Sequence, residues 1–444
     1  MLVAAACQTI PDSPSVAPKM WSTSAYPCPV SFTALHRSLG LAPSALTDEI
    51  LDGAITAGVV ETDDLDWKSE LPPAKGLPQT DFPKDIAAMA NSGGGMIVYG
   101  VEEDQKVATG RKDTGILNEV HERALHSAAI TAITPPVFGL EIHQLGANPR
   151  AVAVIVPPSV DGPHLIYRGE YFGAPVRNNA DTVWMKERQI QATYRARFDE
   201  QRRSNEAIDS LYAEATAGRD TANRAWLIAV AHPRIPGALV RSTREEAQAI
   251  FKQGEKITLT YSNRNAVHPL ENIDRLNPRP GLRRWVAPNN ATGESSRWRE
   301  AWASVHHDGS VTLAAAVGGH RKSSGENFDG REVEAPGIEA AIADFTALTR
   351  ATAAALHHGE YDVCVGVVWT GEQPLTILTI DGHGFIYDGV STPLSSYTRV
   401  RSTIYAAASD TEFHQQVHEL AQDCVNQGGI SHLHVITDPD PTEA

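Results

Sequence analysis

The chain has 444 residues, 42% hydrophobic and 21% charged, a length that suits two or three domains with cores of their own. Its formal net charge of −16 excludes a uniformly basic surface for indiscriminate polyanion binding, so any nucleic acid must meet a local patch. No apolar run approaches the ~18 residues of a membrane span, residues 1–7 lack the basic n-region and length of a secretory signal, and four scattered cysteines show no Cys-x-x-Cys pair. The reading is a cytoplasmic chain with reduced thiols and no membrane contact.

In chain order, residues 1–30 are rich in Pro, Ser and Ala without periodicity and read as disordered. Residues 31–60 read as a short helical lead-in: Phe32, Leu35 and Leu39 mark one helix, Gly40 breaks it, and Leu46, Ile50, Leu51, Ala54 and Ile55 mark a second. Two short helices with a turn between them suit either a helix-turn-helix or a lead-in packed on the next domain; Asp48, Glu49 and Asp52 make the second helix acidic, wrong for lying against phosphate, which favours the lead-in.

The chain is organised around residues 61–104. Leu65 and Trp67 alternate as in a strand, Phe82, Ile86, Met89 and Ala90 recur at helical spacing, and residues 96–101 form a buried strand-length apolar run. Asn91, Gly93, Gly94 and Gly95 form the structural turn that ends the helix, because a left-handed cap is easiest for Gly or Asn. These glycines follow a helix, where the dipole is negative, and no Gly-Lys-Ser/Thr occurs anywhere, so a P-loop ATPase is excluded. Strand, helix and strand would bring acidic residues 61–66 near Glu102, Glu103 and Asp104. Such carboxylates form either a site compensated by a metal, a proton or a polyphosphate with its cation, or a solvated acidic rim.

Beyond residue 104, residues 116–130 read as a helix, and residues 138–145 and 151–156 as strands. Residues 186–203 read as a polar helix with six basic and three acidic residues; it either contacts phosphate or is a solvated connector.

Taken together, Glu61 followed by Asp66-Trp67-Lys68, the helix ending Ala90-Asn91 with its glycines, the strand and acidic loop after it, residues 133–136, and Arg177 in the stretch 175–182 resemble the Schlafen-type AlbA-like domain, a family associated with DNA binding. The resemblance covers about residues 58–200. It implies nucleic-acid binding, DNA or RNA, often in bacterial regulators that carry a second domain. It also implies a second possibility, because animal Schlafen proteins cut RNA with three acidic residues and a divalent metal. By position those would be Glu61, Asp66 and either Glu103 or Asp104, with Glu61, Asp66 and Asp104 holding Mg²⁺ or Mn²⁺. The second acid is Asp66 where the family pattern usually has Glu, which withdraws the carboxylate by ~1.5 Å, a misplacement that can cost ~100-fold in rate.

Residues 201–223 read as a helix and polar linker, residues 224–436 as a second α+β domain, and residues 437–444 as a disordered tail. Within the second domain, His307-Asp308-Gly309 marks a hairpin, residues 337–356 and 411–427 read as helices, and residues 361–369, 375–380 and 384–387 as strands. Arginines interleaved with Trp285 and Trp298 over residues 264–299 either hold a strand by phosphate contact and stacking or, the favoured reading, form a loop-rich rim, and His414 with His418 read as a solvated helix face without a zinc site.

The fold class is α+β: a mixed-sheet AlbA-like Schlafen domain over residues 61–200, behind a helical lead-in and followed by the second domain. The functional expectation is a nucleic-acid-binding protein, regulatory (as in transcription) or defensive, contacting phosphates through Lys68, Arg177, Lys186, Arg188, Arg195 and Arg197. Two alternatives stand beside it: the metal-dependent endoribonuclease, and an interaction module without nucleic acid. A homo-oligomer is left open.

Overall fold

The structure is a computed structural model that describes residues 32–235, 241–291, 293–322, 325–378 and 393–439. The expectations for residues 1–30, 384–387 and most of the tail lie outside the described residues.

The first domain is built on a sheet ordered β1-β2-β7-β6, in which β1 (Leu65–Lys68) and β2 (Gly95–Tyr99) are parallel while β7 (Ala151–Val156) pairs antiparallel with both β2 and β6 (Glu141–Leu145). A parallel pair needs a crossover, supplied by α3 (Phe82–Asn91). Side chains alternate across the sheet. Ile97 and Tyr99 of β2 therefore pack with α3 and α4 (Glu119–Thr131), while Met96 and Val98 pack with α1 (Ala34–Leu39) and α2 (Asp48–Thr56). The lead-in is thus the second cover of the sheet, and Arg111 clamps the acidic face of α2 through Asp48 (2.9 Å) and Asp52 (2.7 Å).

Two-stranded pieces complete this domain: β3 (Val101–Asp104) with β4 (Val107–Arg111), and β10 (Pro175–Asn178) with β11 (Asp181–Trp184). A three-stranded sheet joins β5 (Ile133–Thr134), β8 (Leu165–Arg168) and β9 (Tyr171–Gly173).

The second domain is a fully antiparallel sheet of seven strands, ordered β13-β14-β15-β16-β12-β18-β21. They are β12 (Trp226–Pro233), β13 (Arg279–Gly281), β14 (Arg284–Ala287), β15 (Ala301–His306), β16 (Val311–Ala316), β18 (Glu360–Val368) and β21 (Val400–Tyr405). A smaller sheet contains β17 (Glu332–Glu334), β19 (Leu375–Leu378) and β20 (Pro393–Leu394). Residues of α6 (Arg244–Tyr261), α7 (Ala335–Leu356) and α8 (Asp410–Asn426) share one core with one face of the large sheet.

The other face is covered by α5 (Glu187–Thr216), whose Ile208 and Tyr212 pack with Trp226, Ile228 and Val230. This coverage on both faces explains the unbroken apolar run of β12. Within the stretch expected as helix and linker, residues 201–216 continue one 30-residue helix whose second half belongs to the second core. At the seam, Arg234 donates to both carboxylate oxygens of Asp161 at 2.8 Å and to Glu360 at 2.9 Å. On α8, His414 and His418 turn to the C-terminal segment, at 2.8 Å from the Thr437 carbonyl and 3.3 Å from Asp438.

The glycine turn after α3 places Gly93 at φ +94° and Gly94 at φ +90°. A Cβ on Gly94 would lie 2.7 Å from the backbone nitrogen of Pro158 and 2.8 Å from the Val156 carbonyl, whereas one on Gly93 would meet open space. Gly93→Ala is therefore expected to destabilise by about 1–2 kcal/mol from its backbone conformation alone, and Gly94→Ala by clearly more. Urea unfolding of both variants checks this, and equal losses would contradict the close approach.

Candidate functional site

The parallel pair β1-β2 places Asp66 and Lys68 on the edge strand, α3 brings Asp85 in its first turn, and the β10–β11 ribbon closes the side. Asn91 and Ser92 dock that ribbon. The Asn91 amide donates to the carbonyls of His164 (2.9 Å) and Pro175 (2.8 Å) while its oxygen accepts from His164 N–H (2.7 Å), and Ser92 Oγ accepts from Arg177 N–H (2.8 Å). These two residues thereby aim Arg177. The helix-end motif, expected as a turn, is also a bracket across more than 80 residues of sequence.

The result is a groove of about 430 Å³ in which seven carboxylates (Glu61, Asp66, Glu70, Asp81, Asp85, Glu103, Asp181) face three cations (Lys68, Lys84, Arg177). Asp66 is buried. Its Oδ1 accepts from the Arg177 guanidinium at 3.0 Å and its Oδ2 lies 2.5 Å from Lys68 Nζ. Glu61 Oε1 accepts the Trp67 backbone N–H at 2.9 Å. Burial raises the Glu61 carboxyl above its ordinary range and the nearby charges of Asp66 and Glu103 add to this, against the Trp67 bond and Lys68. Burial pulls the Lys68 ammonium down, but Asp66, Asp85 and Glu61 outweigh it and hold it above its usual value.

Of the sequence-predicted acids, the groove gathers Glu61, Asp66 and Glu103 but not Asp104. Successive strand residues point to opposite sides, and Asp104 ends β3 in solvent. Among the described residues no three His, Cys, Asp or Glu side chains are gathered to hold a metal ion. As arranged, the acids do not fit a divalent cation, because Arg177 and Lys68 already compensate Asp66 and Glu61 directs an oxygen to the backbone.

Of the cations expected at phosphate, Arg177 is engaged with Asp66 and the Thr62 carbonyl (3.2 Å), and Lys68 with Asp66. Arg197 is half-buried, with Nε 3.9 Å from Asp161. Lys186, Arg188 and Arg195, in contrast, are exposed at the start of α5. Arg188 and Arg195 are seven residues apart, which puts them on one helix face.

Asp85 was not singled out by sequence, yet it sits between Phe82 and Met89 at spacings of three and four, a polar residue in a buried register. Burial, opposed by Lys68, pushes its carboxyl up to about 6. A folded-state value above the unfolded one gives stability that is present below pH ~4 and lost as pH rises through about 6. Asp85→Asn is therefore expected to stabilise by about 1–3 kcal/mol at pH 8, with the gain shrinking toward zero at pH 4. Urea midpoints across that range test it; a variant less stable than wild type at pH 8 would mean that attraction to Lys68 and Lys84 outweighs burial.

Residues 61–186 match the family model described as Schlafen, AlbA_2, and an AlbA-like domain is present in this part of the chain. Two solved structures are similar over part of the chain. One is the crystal structure of the DIP2311 protein from Corynebacterium diphtheriae, with 13% identity and a TM-score of 0.24, covering 47% of this chain and 34% of that one. The other is the N-terminal domain of an ATP-dependent DNA helicase RecG-related protein from Nitrosomonas europaea, with 17% identity and a TM-score of 0.23, covering 32% of this chain and 91% of that one. The chain thus spans about a third of the length of the first of these. No curated protein matches it. Among the described residues no helix is long and apolar enough to cross a membrane.

Proposed function

We propose that this chain, which carries a Schlafen-type AlbA-like domain in residues 61–186, binds nucleic acid, with a regulatory or defensive role in which the second domain senses or tethers a further partner. The observation that carries the reading is the set of exposed cations Lys186, Arg188 and Arg195, which make no ion pair among the described residues in a chain of net charge −16. Phosphates follow this row. The groove, with seven carboxylates against three cations, repels a backbone drawn into it.

Removing one phosphate-binding cation should flatten the slope of log K against log salt by roughly 0.7 for single strands and 0.9 for duplex. Arg188→Ala with Arg195→Ala should weaken binding similarly across sequences, since phosphate contacts position without specifying. A salt titration in EDTA reads both effects, and an unchanged slope would place the nucleic acid on another surface.

A metal-dependent endoribonuclease is the second reading: Glu61, Asp66 and Glu103 meet in one groove, but a cation would enter there only once Lys68 and Arg177 release Asp66. Incubation with structured RNA and with DNA in Mg²⁺ or Mn²⁺, beside the binding assay in EDTA, separates the two. Cleavage abolished by Glu61→Gln would promote the nuclease, and neither cleavage nor binding would leave a protein-interaction module.

A further inference from the structure

Four aromatic rings stand out of the hairpins beside the groove: Tyr167 is 56% exposed, Tyr171 81%, Phe172 60% and Trp184 51%. Exposure on this scale by four large rings within 18 residues of sequence is more than the scattered apolar surface of an ordinary monomer. The rings are organised. Tyr167 and Phe172 are cross-strand partners of β8 and β9 with centroids 5.7 Å apart, and Trp184 lies against the neighbouring Gly173, where an added Cβ would come 2.6 Å from the indole. Glycine at 173 is what lets the indole settle onto the next hairpin.

Trp184 also links these rings to the groove. In the β10–β11 ribbon, Arg177 pairs with Thr182 and Pro175 with Trp184, so Arg177, Thr182 and Trp184 share one face. Thr182 lines the groove, and Trp184 stands two residues, or about 7 Å, further along. Lys186 and Arg188 follow immediately.

We propose that these two hairpins are a stacking platform for unpaired bases, so that the nucleic acid this protein holds is single-stranded; the inference rests on the nucleic-acid reading above. Flat rings bordered by cations fit a strand whose base faces are free, since stacking takes every base while the cations take phosphate. A duplex keeps those faces inside its own stack and offers the rings nothing. Glu170 lies between Tyr167 and Tyr171, and Glu187 between Lys186 and Arg188, which weakens the attraction for phosphate and leaves stacking the larger share. The salt slope should accordingly be shallow.

The test uses the full chain in EDTA with labelled oligothymidylate, oligouridylate and a duplex of equal length, read by fluorescence anisotropy. Single strands are expected to bind at least about tenfold more tightly than duplex. Tyr171→Ala, Phe172→Ala and Trp184→Ala should each lower the association constant about 5- to 150-fold without altering the salt slope, which is set by phosphate contacts. Trp184→Phe should restore most of the affinity. Tyr171 is so exposed that its variant keeps the fold, so weaker binding there cannot come from unfolding. Duplex bound as tightly as single strand, or aromatic variants that bind like wild type, would overturn the platform while leaving nucleic-acid binding intact. A sedimentation shift from dimer to monomer in Trp184→Ala, with binding unchanged, would reassign the rings to self-association. Absence of binding to all three probes would remove the nucleic-acid reading and the platform together.

Discussion

Arg177→Met is expected to destabilise the first domain by about 3–5 kcal/mol, because it removes one partner of a buried ion pair and leaves the other charge behind. Both side chains of the Arg177–Asp66 pair are only 3% exposed. The guanidinium also donates to the Thr62 carbonyl, so the variant orphans a backbone acceptor as well as a carboxylate. Lys68 stays beside Asp66 and offsets part of the effect. The double variant Arg177→Met, Asp66→Asn should recover much of the stability, since the cost lies in the uncompensated charge more than in the missing bond. Chemical denaturation of the single and double variants measures this directly. A single variant within about 1 kcal/mol of wild type would show that Lys68 alone compensates Asp66.

Glu339→Ala should cost a similar amount, about 3–5 kcal/mol, in the second domain. The Glu339 side chain is fully buried in α7, and one of its oxygens accepts backbone N–H groups from His434 (2.7 Å), Val435 (2.6 Å) and Ile436 (3.3 Å). Burial raises its carboxyl above the ordinary range although these three donors pull it back. Truncation leaves the donors unmet and the C-terminal segment held mainly by the backbone bonds of Asn263 to Val435 and Thr437 to Tyr261. Glu339→Gln keeps an acceptor without the buried charge and should be far milder. Hydrogen exchange at amides 434–436 is the decisive measurement, and unchanged protection in Glu339→Ala would refute the clamp.

The elements that were legible from sequence are those whose period is clean. Leu65 with Trp67 and the Phe82 to Ala90 spacing gave β1 and α3 close to their observed bounds, whereas the run over residues 96–101 is divided at Gly100, φ +91°, between β2 and β3. Helix α6 was not legible, because Gly254 and Thr258 occupy core positions where a periodic reading looks for large apolar side chains. Its capping box at Thr243 and Glu246 was the available signal. In α5, burial is confined to Ser204, Ile208 and Tyr212, a stripe too narrow to distinguish a packed helix from a solvated one. The site was partly visible: the acids stood in recognisable order, but Asp66 and Arg177 are 111 residues apart, and no local pattern reports that one neutralises the other. Exposed aromatics are hardest of all, since the same hydrophobic letters serve core and surface.

Helix α5 starts beside the candidate interface and ends under the sheet of the second domain, 30 residues in one piece, or about 45 Å. It is in effect a lever. A tilt of roughly 10° about Ile208 would carry Arg188, 20 residues or about 30 Å away, through roughly 5 Å, about the spacing of one strand from the next. Small changes at Ile208 or Tyr212, far from any base or phosphate, would then be read as large displacements at the interface, and the stiffness of this one helix would set how faithfully either domain reports on the other.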